Sequence, residues 1–494
     1  MNLYHAIAKA DPASPCIVDA TGAVLFTYGD MFRESARMAA KLGHLGLAEG
    51  DRVAVQVEKS PEAMVLYLAC LRRGLIYLPL NTAYGEHELA HFVSDAEPAL
   101  IVCDPAGRDT FAGLAGGHVL TLDAEGNGDL MEALGAVPAD EPVVDCADDD
   151  VASILYTSGT TGKPKGAMIT HGNLISNGET LRESWGFTGS DVLLHGLPIF
   201  HVHGLFVAAN LAMLTGATMI YLPGFNTAEV ISLLPRATVY MGVPTHYTRM
   251  LGESSLDRDA CANMRLFTSG SAPLLPATFA AWSERTGHTI LERYGMTETG
   301  MNTSNPLDGE RKPGTVGPPL PGVEARILDD AGNTVGLDEP GALEVRGPNV
   351  FSGYWRLPDK TAEEFTDDGF FRTGDVASLD ADGYVSIIGR NKDLVITGGL
   401  NVYPVEIESM IDRMAGVLES AVIGVPHPDF GEAVTAVVVR EGAQDVSERD
   451  VITWLKDNLA NFKVAKRVHF VDALPRNTMG KVQKNVLRDR FGDV

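Results

Sequence analysis

Positive charge is scarce in this chain: 39 Lys and Arg stand against 65 Asp and Glu, a formal net charge of −26. That balance argues against general nucleic-acid binding, which needs broad cationic faces to displace counterions. An anionic ligand would have to meet a local positive island on an acidic body. Cysteine is sparse too. The five residues (Cys16, Cys70, Cys103, Cys146 and Cys261) are odd in number, scattered and without a C-x-x-C pair. A disulfide frame and a thiolate zinc site are therefore disfavoured, and reduced thiols in a cytoplasmic protein are expected. Long apolar runs are missing, with one exception. The N-terminus, MNLYHAIAKADPASP, reaches Lys9 and Asp11 too early for a secretory apolar run. Residues 204–228 are free of charge and long enough to span a bilayer, but Asn210, Gly216 and Pro223 interrupt them. Their second half, ATMIYLP, reads as a strand, so a buried helix followed by a strand is expected, with no membrane partner.

What is present is ample core material, 45% hydrophobic residues in 494, enough for more than one domain. Short Val-, Ile- and Leu-rich segments recur between helical patterns: RVAVQVE (52–58), ALIVC (99–103), VASILYT (151–157), ATMIYLP (217–223), TVYMGVP (238–244) and MRLFTSG (264–270). Several lack alternation, the mark of strands covered by helices on both faces, so the body reads as layered α/β. After about Gly300 turn dipeptides multiply, and ALEVRG (342–347) and YVSIIGR (384–390) alternate like antiparallel strands. Past GRNKD (389–393) a second unit begins. There, VEIESMIDRM sets Ile407, Met410, Ile411 and Met414 on one helical face, and three strand-like runs follow. The expected class is α/β: a large N-terminal domain of layered α/β subdomains plus a β-rich part, and a small α+β C-terminal domain.

One stretch carries more than architecture. The strand VASILYT runs into YTSGTTGKPKG (156–166), where glycines can turn N–H groups toward an anion and hydroxyls add donors without bulk. A Walker A loop does not fit, because Gly159 and Gly162 are only three apart and Pro164 follows Lys163. The stretch resembles instead the phosphate loop of the adenylate-forming enzymes, which comprise acyl-CoA synthetases, luciferase-like ligases and peptide-synthetase adenylation domains. YGMTE (294–298), RTGD (372–375), GRNKDLVITGGLNVYPVEIE (389–408) and PRNTMGK (475–481) extend the resemblance along the chain in the family's order. HGLPIFHVHGL (195–205), GSAPLL (270–275) and LERYGMTETGMNTSNP (291–306) look like the malonyl-CoA synthetases within it.

The resemblance implies a two-step ligation. A carboxylate attacks the α-phosphorus of ATP to give an acyl-adenylate and pyrophosphate, and the thiol of coenzyme A then displaces AMP. ATP and coenzyme A are the implied co-substrates and Mg²⁺ the implied cofactor. It implies that Thr157, Ser158, Gly159, Thr160, Thr161, Gly162 and Lys163 embrace the phosphates. Gly270, Ser271, Ala272 and Tyr294 would wall the adenine, with Glu292, Gly295 and Met296 counted among the nucleotide-binding residues and Thr297 near the α-phosphate. Glu298 would bind Mg²⁺, joined by the Thr160 hydroxyl, since Mg²⁺ prefers hard oxygen ligands beside phosphates. Asp375 would accept both ribose hydroxyls and Arg390 would reach the ribose or phosphate. Lys481 would bridge the carboxylate and the α-phosphate during adenylation, a task suited to a compact ammonium. It lies in a basic island, with eight Lys or Arg against two Asp over 461–490. The implied division is an adenylation domain over 1–389, a hinge over 390–393 with Lys392 at its pivot, and a mobile domain over 394–494. Rotation would bring Gly398, Gly399 and Leu400 to the coenzyme A thiol. Acetylation would remove the Lys481 charge, so a lysine acetylase is a candidate partner. Monomer and homodimer stay open.

A diacid adds a constraint. A second carboxylate buried without a partner is strongly unfavourable, so the pocket must offer a cation. Arg293 is the candidate, its planar fork suited to two bonds; pairing with the adjacent Glu292 is the competing reading, and Arg249 is the reserve. Val202 and Met301 resemble the residues that limit substituents on the central carbon. Ser271 belongs to the substrate wall as well, and His201 is placed where acid, thiol and rotating domain meet. One methyl group is worth only about 1–3 kcal/mol of discrimination, so methylmalonate is an expected secondary substrate. A ligase for another short-chain, aryl or dicarboxylic acid is the alternative. A P-loop phosphotransferase would end in ADP, and a silent nucleotide-binding module would lack Lys481 and Glu298.

Overall fold

The structure, a computed structural model, describes residues 1–492 apart from 115, 158–163, 391–392, 398–399, 428–430, 443–445 and 478–479. Among the described residues there are four sheets. One has eight strands in the order Gly300–Ser304, Leu291–Met296, Leu266–Ser269, Val239–Gly242, Val192–His195, Thr218–Tyr221, Pro15–Val18 and Val24–Thr27. Its interior pairings are parallel and an antiparallel strand closes each edge. A second has seven, in the order Gly353–Tyr354, Lys165–Thr170, Val151–Thr157, Ile76–Pro79, Arg52–Gln56, Leu100–Cys103 and His118–Thr121. From Val151–Thr157 onward its pairings are parallel.

Alternating side chains of these strands feed different cores. Val53, Tyr77, Leu155, Leu193, Met219, Val239 and Leu266 join one large cluster common to both sheets. Their neighbours turn to outer clusters, Leu194, Ile220, Tyr240 and Phe267 to one and Ala54, Leu78, Ile101 and Ile154 to another. Burial on both faces is why these segments read as unbroken apolar runs. Helix boundaries follow local chemistry. Over Pro61–Arg73, Ser60 caps the N-terminus by accepting from the Ala63 N–H, and Gly74 ends the helix at φ 66°; loss of such a cap costs about 1 kcal/mol.

The charge-free segment folds as expected, a buried helix and then a strand, with one feature unread in the sequence. His203–Ala209 is wound as a π-helix before the α-helix Asn210–Thr215 and the strand Thr218–Tyr221; such turns concentrate at functional sites. Among the described residues no helix is long and apolar enough to cross a membrane.

The β-rich part is an antiparallel sheet of Glu324–Leu328, Gly341–Arg346, Phe371–Leu379 and Val385–Arg390. The C-terminal unit has its own sheet and core. Val417–His427 and Gly431–Arg440 pair antiparallel, Arg467–Val471 adds a parallel strand, and the helices Pro404–Ile411 and Glu448–Asn458 lie against them. Ile407 and Ile411 are fully buried there and Met410 and Met414 pack against the same core. The helix stops at Ile411, earlier than the apolar spacing suggests, because Gly416 at φ 88° turns the chain into the next strand.

Candidate active site

Open α/β sheets bind ligands at the carboxyl ends of their parallel strands. Here Val192–His195 leads toward His201, Leu266–Ser269 into Gly270 and Val151–Thr157 into residues 158–163. The antiparallel sheet adds a wall. Asp375 and Arg390 are register partners across two of its strands, and Arg390 Nε lies 3.3 Å from Asp375 Oδ1. Tyr294 donates its hydroxyl to Asp375 Oδ2 at 2.5 Å. The Asp375 N–H donates to Thr373 Oγ1 at 3.1 Å, fixing a carboxylate that is 4% exposed. Asp375, Tyr294 and Arg390 thus form one polar surface from three strands.

Glu298 lies deeper. Its Oε1 accepts from the hydroxyls of Thr157 at 3.3 Å and Tyr354 at 3.2 Å. It pairs with no cation among the described residues, and burial raises its carboxyl above the usual range. A buried carboxylate met by neutral donors among the described residues fits a hard divalent cation, which uses one or two carboxylates and completes its shell with phosphate oxygens and water. Among the described residues no cluster of three His, Cys, Asp or Glu could hold a metal by itself.

Lys481 reaches this site from the C-terminal unit. Asn477 and Lys481 bond to each other twice, the Lys481 N–H donating to Asn477 Oδ1 and the Asn477 N–H to the Lys481 carbonyl, each at 2.9 Å. Gly480, at φ 74°, makes that turn, and a Cβ there would sit 3.3 Å from Thr245 Oγ1 of the large domain. Burial lowers the Lys481 ammonium to about 8, helped by Arg390 and Arg293 and opposed by Asp375 and Glu298. Residues far apart in sequence therefore share one electrostatic neighbourhood.

The third region is built on Arg293. It is 3% exposed, and its Nε and Nη2 are buried without a hydrogen-bond partner among the described residues. The guanidinium lies over Gly270, where a Cβ would come within 2.0 Å of Nη1, so only glycine leaves it room. Burial lowers it from an ordinary 12.5 to about 10. Glu292 does not pair with it. Successive strand residues point to opposite faces, and Glu292 Oε1 accepts instead from the Gly314 N–H at 3.3 Å, its carboxyl pushed up by burial to about 8. His203 Nδ1 lies 3.3 Å from the Ser271 hydroxyl, while its buried Nε2 has no partner among the described residues. Ser271 holds φ 70°, an uncommon conformation for a residue with a side chain. Burial, with Lys481 and Arg293 adding to it, lowers His201 to about 3. Burial also drives His203 well below its ordinary value, with Arg293 the next cause. Both imidazoles are neutral at neutral pH. Val202 and Met301 are buried, the latter gripped by Asn177, whose Oδ1 accepts from the Met301 N–H at 3.1 Å and whose Nδ2 donates to its carbonyl at 3.0 Å.

The residues expected from the sequence thus divide. Arg293, Ser271, Gly270, Glu298, Asp375, Arg390, Tyr294, His201 and Lys481 are brought together by the contacts and mutual fields just described. Ala272, Gly295, Met296 and Thr297 follow on the same loop and strand. Ser158, Gly159, Thr160, Thr161, Gly162, Lys163, Lys392, Gly398 and Gly399 lie outside the described residues. Leu400 is exposed on the hairpin of Val395–Thr397 and Leu400–Val402, and the reserve Arg249 is exposed on the helix Pro244–Leu251. Two residues escaped the sequence reading. Tyr354 is 56 positions from the carboxylate it bonds, with no local signal. His203 was legible only as the second histidine of H-V-H.

The chain is similar to known proteins over its whole length. The AMP-binding enzyme family matches residues 4–355, and the AMP-binding enzyme C-terminal domain matches 406–481. The crystal structure of ATP-bound MatB from Rhodopseudomonas palustris aligns with a TM-score of 0.97 at 54% identity, covering 100% of this chain and 99% of that one. Apo MatB from the same organism aligns over the same shares at 55% identity with a TM-score of 0.85. A malonate–CoA ligase of Arabidopsis thaliana is 37% identical over 487 residues, 90% of this chain and 78% of its own. A large N-terminal and a small C-terminal unit, each matched by its own family description, make the chain a member of the AMP-binding enzyme family.

Proposed function

We propose that the chain ligates malonate to coenzyme A through a malonyl-adenylate, using ATP and releasing AMP and pyrophosphate. The carrying observation is the buried, unpaired Arg293 guanidinium. A full charge held in a core without a counter-ion is unfavourable unless a ligand brings the opposite charge, and a distal carboxylate is a ligand that matches its fork. His203 belongs to the same neighbourhood, and Arg293, His201, His246 and His195, none of them acidic, are the groups whose fields act on it. A diacid fits that surplus of donors; a monoacid would leave them unmet.

In the first step an oxygen of the proximal carboxylate bonds to the α-phosphorus of ATP and the bond to pyrophosphate breaks. Lys481 holds the two anions together, its charge offsetting their repulsion. Asp375 takes the ribose hydroxyls with Arg390 beside it, Tyr294 and the 270–272 turn wall the base, and Glu298 with Thr160 holds Mg²⁺. The metal would supply neutralisation of phosphate charge there. His201 and His203, as neutral imidazoles, donate or accept hydrogen bonds without adding charge. In the second step the coenzyme A sulfur bonds to the malonyl carbonyl carbon, AMP leaves and the thiol proton is released. For that step the domain 394–494 turns about the hinge 390–393, withdrawing Lys481 and bringing Gly398, Gly399 and Leu400 to the thiol. The lower likeness to the apo than to the ATP-bound relative, at 55% and 54% identity, supports two domain arrangements. Lys481 acetylation would stop the first step alone. Five free thiols, four of them buried, support a cytoplasmic setting.

A substrate panel tests the reading. AMP release is expected to rank malonate first and methylmalonate second, with succinate, acetate and propionate far behind. A kcat/KM for acetate or propionate above that for malonate would overturn it.

A further inference from the structure

Lys59 precedes Ser60, the N-cap of the helix Pro61–Arg73, on the seven-stranded side of the large domain. It is 8% exposed and has no carboxylate partner among the described residues, burial being the cause that lowers its ammonium well below the ordinary value. Its Nζ lies 2.7 Å from His195 Nδ1 and donates to the His195 carbonyl at 2.7 Å, with the Tyr221 ring centroid 4.2 Å away. His195 ends a strand of the other sheet. Its Nε2 is 2.8 Å from the Gly204 carbonyl. A carbonyl only accepts, so Nε2 carries the proton and Nδ1 offers the lone pair that Lys59 meets. The hydrogen bonds run in one direction: Lys59 to His195, His195 to Gly204.

Gly204 closes a tight turn. A Cβ at this position would fall 1.9 Å from the Pro198 carbonyl oxygen, so the chain from Pro198 to Gly204 folds flush on itself. His201, Val202 and His203 ride on that turn, and Gly204 sits in the first turn of the π-helix. A methionine in place of Lys59 would fill similar volume without the cost of burying an ammonium, so the lysine calls for a role that packing does not supply.

We propose that Lys59 and His195 are positioning residues for the acyl cavity, clamping Gly204 so that His201, Val202 and His203 face Arg293 in the geometry a diacid needs. This rests on the malonate reading of that cavity. The clamp crosses from one sheet to the other, so it also ties the acyl wall to the element that carries Lys59. It sets substrate preference without touching substrate.

Lys59→Met and His195→Gln are the tests, the latter keeping a donor for Gly204 and the backbone carbonyl that Lys59 meets while removing the Nδ1 acceptor. Pyrophosphate release is measured with malonate and with propionate, and melting is followed in parallel. Loss of the bond between Lys59 Nζ and His195 Nδ1, the one that both variants remove, corresponds to about tenfold. Each variant is expected to lower kcat/KM for malonate by about tenfold, mostly through KM, while propionate and the KM for ATP stay within about twofold. Equal losses on both acids, or a lower melting temperature with unchanged preference, would overturn the proposal and leave Lys59 a packing residue. If Lys59→Met does not fold, His195→Gln decides alone. Arg293→Met run alongside separates the two ideas: if it fails to discriminate malonate from propionate, the diacid reading falls first; if it discriminates and the Lys59 and His195 variants do not, only the clamp falls.

Discussion

Replacing Arg293 by Met should move activity and stability in opposite directions. In the free protein the guanidinium is a liability: burial lowers it from 12.5 to about 10, about 3 kcal/mol of penalty against the charged form at 1.36 kcal/mol per pH unit. For a cation with a depressed folded value, that penalty is present in full below about 10 and fades as pH rises from there toward the ordinary guanidinium value. At pH 7.5 the variant escapes it and fills the space with an apolar chain, so the free protein should melt a few degrees higher. Activity should fall. A distal carboxylate left without its partner costs about 3–5 kcal/mol in a buried site. His203 remains to share it, which leaves about 2–4 kcal/mol, or roughly 30- to 1,000-fold in kcat/KM for malonate. Propionate has no distal carboxylate and should change by less than about threefold. Thermal melting of the free protein and AMP release on the two acids check both halves. A variant that melts below wild type and loses both activities equally would show Arg293 to be a strut.

Gly270→Ala should reproduce the malonate defect with Arg293 still present, because the new methyl would stand 2.0 Å from Nη1 and push the fork aside; malonate kcat/KM unchanged within about twofold would contradict the geometry. Lys481, at about 8, must be charged to bridge two anions, so adenylation should fall as pH rises through 8 while thioester formation from preformed malonyl-adenylate holds. Lys481→Ala should abolish the first half-reaction and spare the second, and parallel loss of both would refute the domain alternation. Glu298→Gln removes a carboxylate whose raised value penalises its charged form at neutral pH. It should melt higher yet release pyrophosphate slowly at every Mg²⁺ concentration, and an unchanged Mg²⁺ dependence would exclude Glu298 as the metal carboxylate.

Much of this was readable along the chain. Strands buried on both faces announce themselves as unbroken apolar runs, and Ser60 with Gly74 brackets a helix by local chemistry alone. The antiparallel strands Gly341–Arg346 and Val385–Arg390 were legible too, although burial along them does not follow the alternation of their sequence. Local rules worked less well where backbone and packing compete: the helix Pro404–Ile411 stops before its apolar spacing ends, and His203–Ala209 winds as a π-helix that composition does not distinguish from an α-helix.

By itself, then, the order of residues determined which segments form strands and helices and which short motifs carry chemistry, because periodicity, capping and turn preference act over a few neighbours. Tertiary structure alone decided which charges meet. Whether Arg293 pairs with Glu292 or stays unpaired among the described residues, whether Lys59 finds an acid or an imidazole, and whether Tyr354 reaches Glu298 depend on strand faces and on contacts between residues tens to hundreds of positions apart. Electrostatic energy depends on distance and burial in three dimensions, and sequence separation measures neither.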